Sequence, residues 1–342
     1  MFSYDKLISL CESTGCEYSL TAELKDYTSF KIGGKADIMI FPNSISVLSE
    51  LVAFIRAREL PLLVIGKGSN LLISNEGFRG VVINTSHLAS LELLDDATIK
   101  CSCGVSLARL CRFALENSLT GLEFAYGIPG SAGGAAYMNA GAYGGQMSDV
   151  LVECEHILPD GSLGSFSGDE LDLGYRHSVY SDSDFVIVSL TLRLQKGNSD
   201  EIRAKMDDLI QRRKDKQPLE YPSAGSTFKR PDGYFAGALI EQCGLKGCRI
   251  GGAEVSEKHA GFLINAGSAT CNDVLALINT VRIRFLRLRA SNLSRKLKSS
   301  EEDQRVFFIR NQKRSFQNGK SAAMLLPRTS LWACAFCSFL KI

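Results

Sequence analysis

The 342-residue chain reads as an α+β protein of more than one domain. Short apolar runs alternate irregularly with helical patterns, without the regular strand–helix repeat of a parallel α/β fold. Glycine, present 31 times, punctuates those runs. The length suits two or three domains of ordinary size, and a composition of 45% hydrophobic and 22% charged residues is globular.

The elements follow in order. "DKLISLCEST" (5–14) reads as a short helix, and "YTSFKIGGKADIMIFP" (27–42) as a strand entered through Gly33-Gly34. In "SISVLSELVAFIRAREL" (44–60), Val47, Leu48, Leu51, Val52 and Ile55 fall at helical spacing. "PLLVIGKGSNLLI" (61–73) is an apolar run, a glycine turn and a second apolar run. "GVVINTS" predicts a strand, and "TIKCSCGVSLARLCRFALENS" a strand, a turn and a helix. "VLVECEHILPDGSLGSFS" (150–167) alternates like a hairpin around Asp160-Gly161, and "DFVIVSLTLRLQKG" (184–197) closes the set as a strand. From 201, "EIRAKMDDLIQRRKDKQP" is an amphipathic helix stopped by Pro218, the natural boundary between two domains.

Charge is uneven. Residues 283–342 carry 13 Lys/Arg against Glu301, Glu302 and Asp303, a net +10 that leaves −8 for the rest of the chain. No segment has the about 20 consecutive apolar residues that a spanning helix needs. "MFSYDKLISLCESTGCEYSL" lacks a basic region ahead of an apolar core, so neither a secretory leader nor a membrane association is expected. Eleven cysteines, an odd count in so large a chain, read as free thiols of a cytoplasmic protein; Cys101 and Cys103 would share one face of a strand. His87, His156, His177 and His259 show no ligand spacing and Cys334-x-x-Cys337 has no second pair, so no metal is expected.

Two glycine-rich stretches point to a ligand. In "GKGSN", Gly66 and Gly68 permit positive φ, so successive N–H groups can face one concavity, with Lys67, Ser69 and Asn70 adding charge and donors. Such a nest suits a pyrophosphate; a plain hairpin turn is the competing reading, and neither a Walker nor a Rossmann pattern is present. In "GIPGSAGGAAYMNAGAYGG" (127–145) seven of 19 residues are Gly and none is charged, yet Ile128, Pro129 and Tyr137 do not belong in a flexible linker. Close backbone approach by a ligand, or tight packing between subdomains, would each explain it. "LGYRHSVYS" sets Arg176 between Tyr175 and Tyr180, where a guanidinium requires a structural carboxylate or a substrate's. "YPSAGSTFKRP" holds Ser226 on a tight loop that is not G-x-S-x-G, leaving a proton donor or an ordinary loop serine.

Taken together, "TSFKIGGKAD", "GKGSNLLI", "GLEFAYGIPGSAGGAAYMNAGAYG", "YRHS", "YPSAGSTFKRP", "GLKGCRIGGAEVSEKHAGFLIN" and "DVLALINTVR" resemble, in order and spacing over about residues 20–282, the UDP-N-acetylenolpyruvoylglucosamine reductase family. The resemblance implies an FAD-binding domain of vanillyl-alcohol-oxidase type with two α+β subdomains (21–198), after an N-terminal helical segment (1–20) and before an α+β substrate domain (199–282). It implies FAD held by Gly66, Lys67, Gly68, Ser69 and Asn70 and by Gly127, Ile128, Pro129, Gly130, Ser131, Gly133 and Gly134. With no His or Cys in either loop, noncovalent binding is expected. NADPH is the implied co-substrate and an enolpyruvyl UDP-sugar the substrate, reduced during cell-wall precursor synthesis by a monomer that binds no nucleic acid. Arg176 and Ser226 match the catalytic arginine and the proton-donating serine, while Tyr175, Lys229 and Arg230 match substrate positions. Two departures stand out. "FKRP" replaces a typical "FKNP", so Arg230 stands for an Asn. The tail 283–342 loses the family pattern, and the place of an expected catalytic glutamate falls near Lys296. An FAD- and UDP-sugar-binding homologue with impaired turnover is therefore the alternative to an active reductase; an oxygen-using oxidase is disfavoured by the C-terminal motifs.

Overall fold

Parallel pairing sets the first layer. The computed structural model describes residues 3–231 and 233–296, with side chains as far as 287. Ser44 caps the helix Ile45–Arg56 by accepting from the Val47 N–H at 3.2 Å, and Leu48, Leu51, Val52 and Ile55 are buried on one face. This helix carries the chain back, so that Ala36–Phe41 and Leu62–Ile65 flank Phe78–Asn84 and both run parallel to it. Glu17–Ser19 adds an antiparallel edge to make four strands. "GKGSN" is therefore not a hairpin turn: it leaves the C-terminal end of a parallel strand, where open sheets form their binding crevices. The run after it forms no strand, because Leu72 and Ile73 bury in two different hydrophobic clusters.

The second sheet is antiparallel, ordered Leu163–Ser167, Leu151–Ile157, Val186–Arg193, Thr98–Ser102, Leu91–Leu93. Gly161, at φ +88°, turns the hairpin where Asp160-Gly161 predicts it. Ser106 caps the helix Leu107–Glu116 and Ser131 the short helix Ala132–Tyr137. Ile38 and Ile83 of the first sheet share one core with Ile99, Val188 and Leu190 of the second, so the two subdomains bury their apolar faces together.

Asn198 starts the helix Ser199–Lys216 by accepting from the N–H groups of Asp200 and Glu201. Its Ile202 and Met206 bury in the first core, so the helix expected to open the second domain packs with the first. The second core lies between a four-stranded antiparallel sheet, ordered Ser223–Ser226, Phe262–Asn265, Ala253–Val255, Arg249–Ile250, and the helices Ala236–Gln242 and Cys271–Lys296. Phe30 and Ile32 plug into it, so the segment before Gly33-Gly34 serves as a docking loop and the strand begins only at Ala36. Ser29 Oγ donates to Ser223 O at 2.7 Å and the Cys271 N–H to Asn75 Oδ1 at 2.6 Å across the same junction. The helix Cys271–Lys296 passes residue 283 without a break, and Phe285 is buried. The expectations for 297–342, including Glu301 and Glu302, lie outside the described residues.

Candidate functional site

A cavity of about 540 Å³ opens at the end of Leu62–Ile65, within the size range of small-molecule and cofactor sites. One wall is Gly66, Lys67, Gly68, Ser69 and Asn70; another is Ile128, Gly130, Ser131, Gly133 and Gly134. The two loops touch each other: a Cβ on Gly66 would lie 2.0 Å from Ser131 Oγ. Three backbone bonds hold the second loop against 103–107: Ala132 N–H to Val105 O, Gly133 N–H to Cys103 O, and Leu107 N–H to Gly130 O. Ser131 is buried and accepts from the Gly134 N–H at 3.4 Å.

Among the described residues, the N–H groups of Lys67, Gly68 and Ser69 donate to no protein acceptor. With the Ser69 hydroxyl and the exposed Lys67 they form a donor set suited to a diphosphate. Leu62, Val64, Met138, Phe185 and Val186 line apolar stretches of the same cavity. The residues therefore fit a ligand that combines an anionic group with apolar parts, as FAD does. Gly68 is the tightest point of this loop: it sits at φ +59°, and a Cβ there would lie 2.1 Å from the Tyr27 carbonyl oxygen. Gly68→Ala is thus expected to destabilise the protein by about 1–3 kcal/mol, the usual range for backbone strain. It should also lower the flavin retained per mole of purified protein, measured by absorbance after acid precipitation; unchanged melting temperature and flavin content would refute the tight fit.

Two positions expected at the cofactor, Gly127 and Pro129, lie outside the cavity lining. Gly127 instead makes room for Arg213, since a Cβ there would lie 2.7 Å from its Nε. Arg213 is 7% exposed, donates Nη1 to Gln217 Oε1 at 3.2 Å, and stands 5.8 Å from the Tyr143 ring. A wall residue that motif reading passes over is Cys103, placed in the lining by the turn after Thr98–Ser102. Burial pushes its thiol up to about 12, leaving it protonated and a poor nucleophile.

Arg176 lies in a turn closed by reciprocal bonds between Gly174 and His177. Its φ is +58°, a left-handed conformation that costs a non-glycine residue about 1–2 kcal/mol. Its Nη2 donates to Asn70 Oδ1 at 2.6 Å, which puts the guanidinium beside the first cofactor loop. Tyr180 does not flank it: that ring is buried, its hydroxyl 3.0 Å from His156 Nδ1. Tyr175 is 61% exposed, and its hydroxyl accepts from the Arg230 N–H at 3.1 Å, tying the turn to the second domain. The Arg230 guanidinium lies 4.4 Å from the Phe235 ring centre, and Lys229 beside it is half-buried. Ser226 is exposed at the end of Ser223–Ser226, paired with Phe262, and is not part of the cavity lining. His259 Nδ1 accepts from the Gly261 N–H at 3.1 Å nearby, and burial lowers its pKa, keeping that imidazole neutral.

Residues 36–167 match a family described as FAD binding domain, and residues 217–294 one described as UDP-N-acetylenolpyruvoylglucosamine reductase, C-terminal domain. The second match passes 282, the point where motif reading loses the pattern, and ends at 294. A UDP-N-acetylenolpyruvoylglucosamine reductase of Syntrophomonas wolfei is 50% identical over 262 residues, covering 76% of this chain and 87% of that protein. That of Clostridium novyi is 49% identical over 259 residues, or 76% and 84%. The crystal structure of the Thermus caldophilus reductase shares 35% identity at a TM-score of 0.68, over 78% of this chain and 94% of that one.

Proposed function

The chain belongs to the UDP-N-acetylenolpyruvoylglucosamine reductases, FAD-dependent oxidoreductases of peptidoglycan synthesis, and from that premise we propose that it reduces the enolpyruvyl UDP-sugar to UDP-N-acetylmuramate with NADPH in the cytoplasm. The fold is accordingly α+β, with a two-subdomain FAD-binding domain of vanillyl-alcohol-oxidase type ahead of a further α+β domain. Among the described residues no helix is long and apolar enough to cross a membrane. The observation that carries the proposal is the 2.6 Å bond from Arg176 to Asn70, which joins a carboxylate-binding side chain to the cofactor loop.

When bound, FAD supplies the two-electron chemistry between NADPH and the substrate's double bond. The chain's residues supply the rest. Addition to an alkene conjugated with a carboxylate spreads negative charge onto that carboxylate, as in an enolate. Arg176 holds the group and stabilises the charge. The carbon bearing the carboxylate then needs a proton, and Ser226 Oγ–H delivers it. Ser226 reaches the cofactor cavity only through a ligand that spans both domains, consistent with its exposed place at a strand end. The Tyr175–Arg230 bond keeps the two domains' loops together, and Lys229 and Arg230 supply cations for the substrate's diphosphate.

A second reading keeps the binding and loses turnover: the place expected to hold a catalytic glutamate falls near Lys296. One experiment separates the two. NADPH oxidation by the flavin-loaded protein, followed at 340 nm, is expected to depend on the enolpyruvyl sugar. Flavin-bound protein without that dependence supports the second reading, and a family-type terminus grafted from 283 onward should then restore turnover. Sugar-independent oxidation in both chains would refute the reductase assignment.

A further inference from the structure

We propose that Asn139, to which neither the motifs nor the mechanism gives a part, is the positioning residue that sets the Arg176 turn. This rests on the reading of Arg176 as the substrate's carboxylate partner. Asn139 is 4% exposed and lies at φ +43°, a left-handed conformation that Asn and Asp tolerate best after glycine. Its Nδ2 donates to Gly174 O at 3.1 Å and its Oδ1 accepts from the Ser148 N–H at 2.9 Å. The amide orientation is unambiguous, because a carbonyl must receive a donor and an N–H an acceptor.

Gly174 O is the hinge of the arrangement. It accepts from the His177 N–H at 3.2 Å, the bond that closes the turn around Arg176, and from Asn139 as well. Both lone pairs are used, which fixes the plane of the peptide entering Tyr175-Arg176. The leg after the turn is held separately: Ser178 Oγ donates to Tyr137 O at 2.6 Å and Ser181 Oγ to the same oxygen at 3.4 Å. Loss of the Asn139 bond therefore frees only the entering leg, and the turn stays attached. Without that bond the strained left-handed conformation of Arg176 rests on the Gly174–His177 pair and the Asn70 contact, so the entering peptide can tilt and displace the guanidinium. Misplacement by ~1 Å can cost about 100-fold in rate.

The test uses Asn139→Asp in the flavin-loaded full chain. Aspartate keeps the acceptor for Ser148 and the tolerance for positive φ, but turns an oxygen toward Gly174 O. Ionised, it repels that carbonyl; protonated, it donates to it. Asp149, Asp172, Tyr175, Arg176 and His177 are the charged or titratable groups on the segments bonded to it, and Tyr137 and Tyr143 lie on its own, with His177 Nε2 and Asp172 Oδ2 2.9 Å apart. Relative to the unmodified protein at each pH, reoxidation of the reduced flavin by the enolpyruvyl sugar should be ~10–100-fold slow at pH 8. It should recover as the new carboxyl protonates on acidification. Asn139→Gly, which keeps the backbone conformation and removes both bonds, should be slow throughout and show no recovery. In the double variant with Arg176→Ala, Asn139→Asp should add nothing, since a residue acting only through Arg176 has no effect in its absence. Full rate at pH 8, equal pH recovery in Asn139→Gly, or full additivity with Arg176→Ala overturns the proposal. If Arg176→Ala itself leaves reoxidation intact, the parent reading of Arg176 has failed instead.

Discussion

Ser226→Ala is expected to slow reoxidation of the reduced flavin by the enolpyruvyl sugar by about 10²–10⁴-fold, the usual contribution of a general acid. The same variant should reduce its flavin with NADPH at close to the normal rate, because that half-reaction requires no proton from the protein to carbon. The position of Ser226 makes the variant a test of chemistry and not of folding. Ser226 is exposed, follows Gly225 at φ +78°, and its neighbour Thr227, whose N–H donates to Gly261 O at 2.9 Å, anchors the loop. Removing one exposed hydroxyl there leaves the fold's bonds in place. Stopped-flow absorbance of the two half-reactions under anaerobic conditions reads the split. Equal slowing of both would move Ser226 from proton donor to loop architecture.

Arg176→Lys should be nearly as damaging as Arg176→Ala, with reoxidation by the sugar reduced about 10²–10³-fold, the loss typical of deleting one charge-stabilising donor. Lysine keeps the positive charge and faces the same left-handed backbone at φ +58°, so the comparison isolates the head group. A guanidinium can donate to Asn70 Oδ1 and still present a planar pair of N–H groups to a carboxylate. An ammonium engaged by Asn70 has no such fork. Substrate titration of the oxidised enzyme, together with the reoxidation rate, decides the matter. A lysine variant retaining most of its activity would mean that charge alone suffices and that bidentate recognition is the wrong picture.

The elements were legible in the sequence because periodicity records which face of an element is buried. Leu48, Leu51, Val52 and Ile55 behind Ser44 specify a capped amphipathic helix, and Asp160-Gly161 between alternating runs specifies a hairpin. The glycine loops were visible as stretches with few ordinary uses, whereas Arg176 and Ser226 each kept an ordinary structural reading until the family resemblance gave them roles. Which residues meet was decided only by the tertiary structure. "GKGSN" reads in sequence as a ligand nest or a hairpin turn, and the pairing of Leu62–Ile65 parallel to Phe78–Asn84 removes the hairpin and puts the loop at the mouth of a crevice. Gly66 is small because Ser131 arrives from a distant segment, and Gly127 is small because Arg213 does, although the two glycines read alike in the chain. Phe30 and Ile32 read as part of a strand over 27–42, yet they leave it to fill another domain's core, and the strand begins only at Ala36. Asn139 likewise depends on Gly174 and Ser148 being brought to its two ends. A hydrophobic pattern specifies that a face must be covered, whereas the partner that covers it depends on packing between segments far apart in the chain. Close contacts, positive φ and the second donor to Gly174 O are properties of that packing alone.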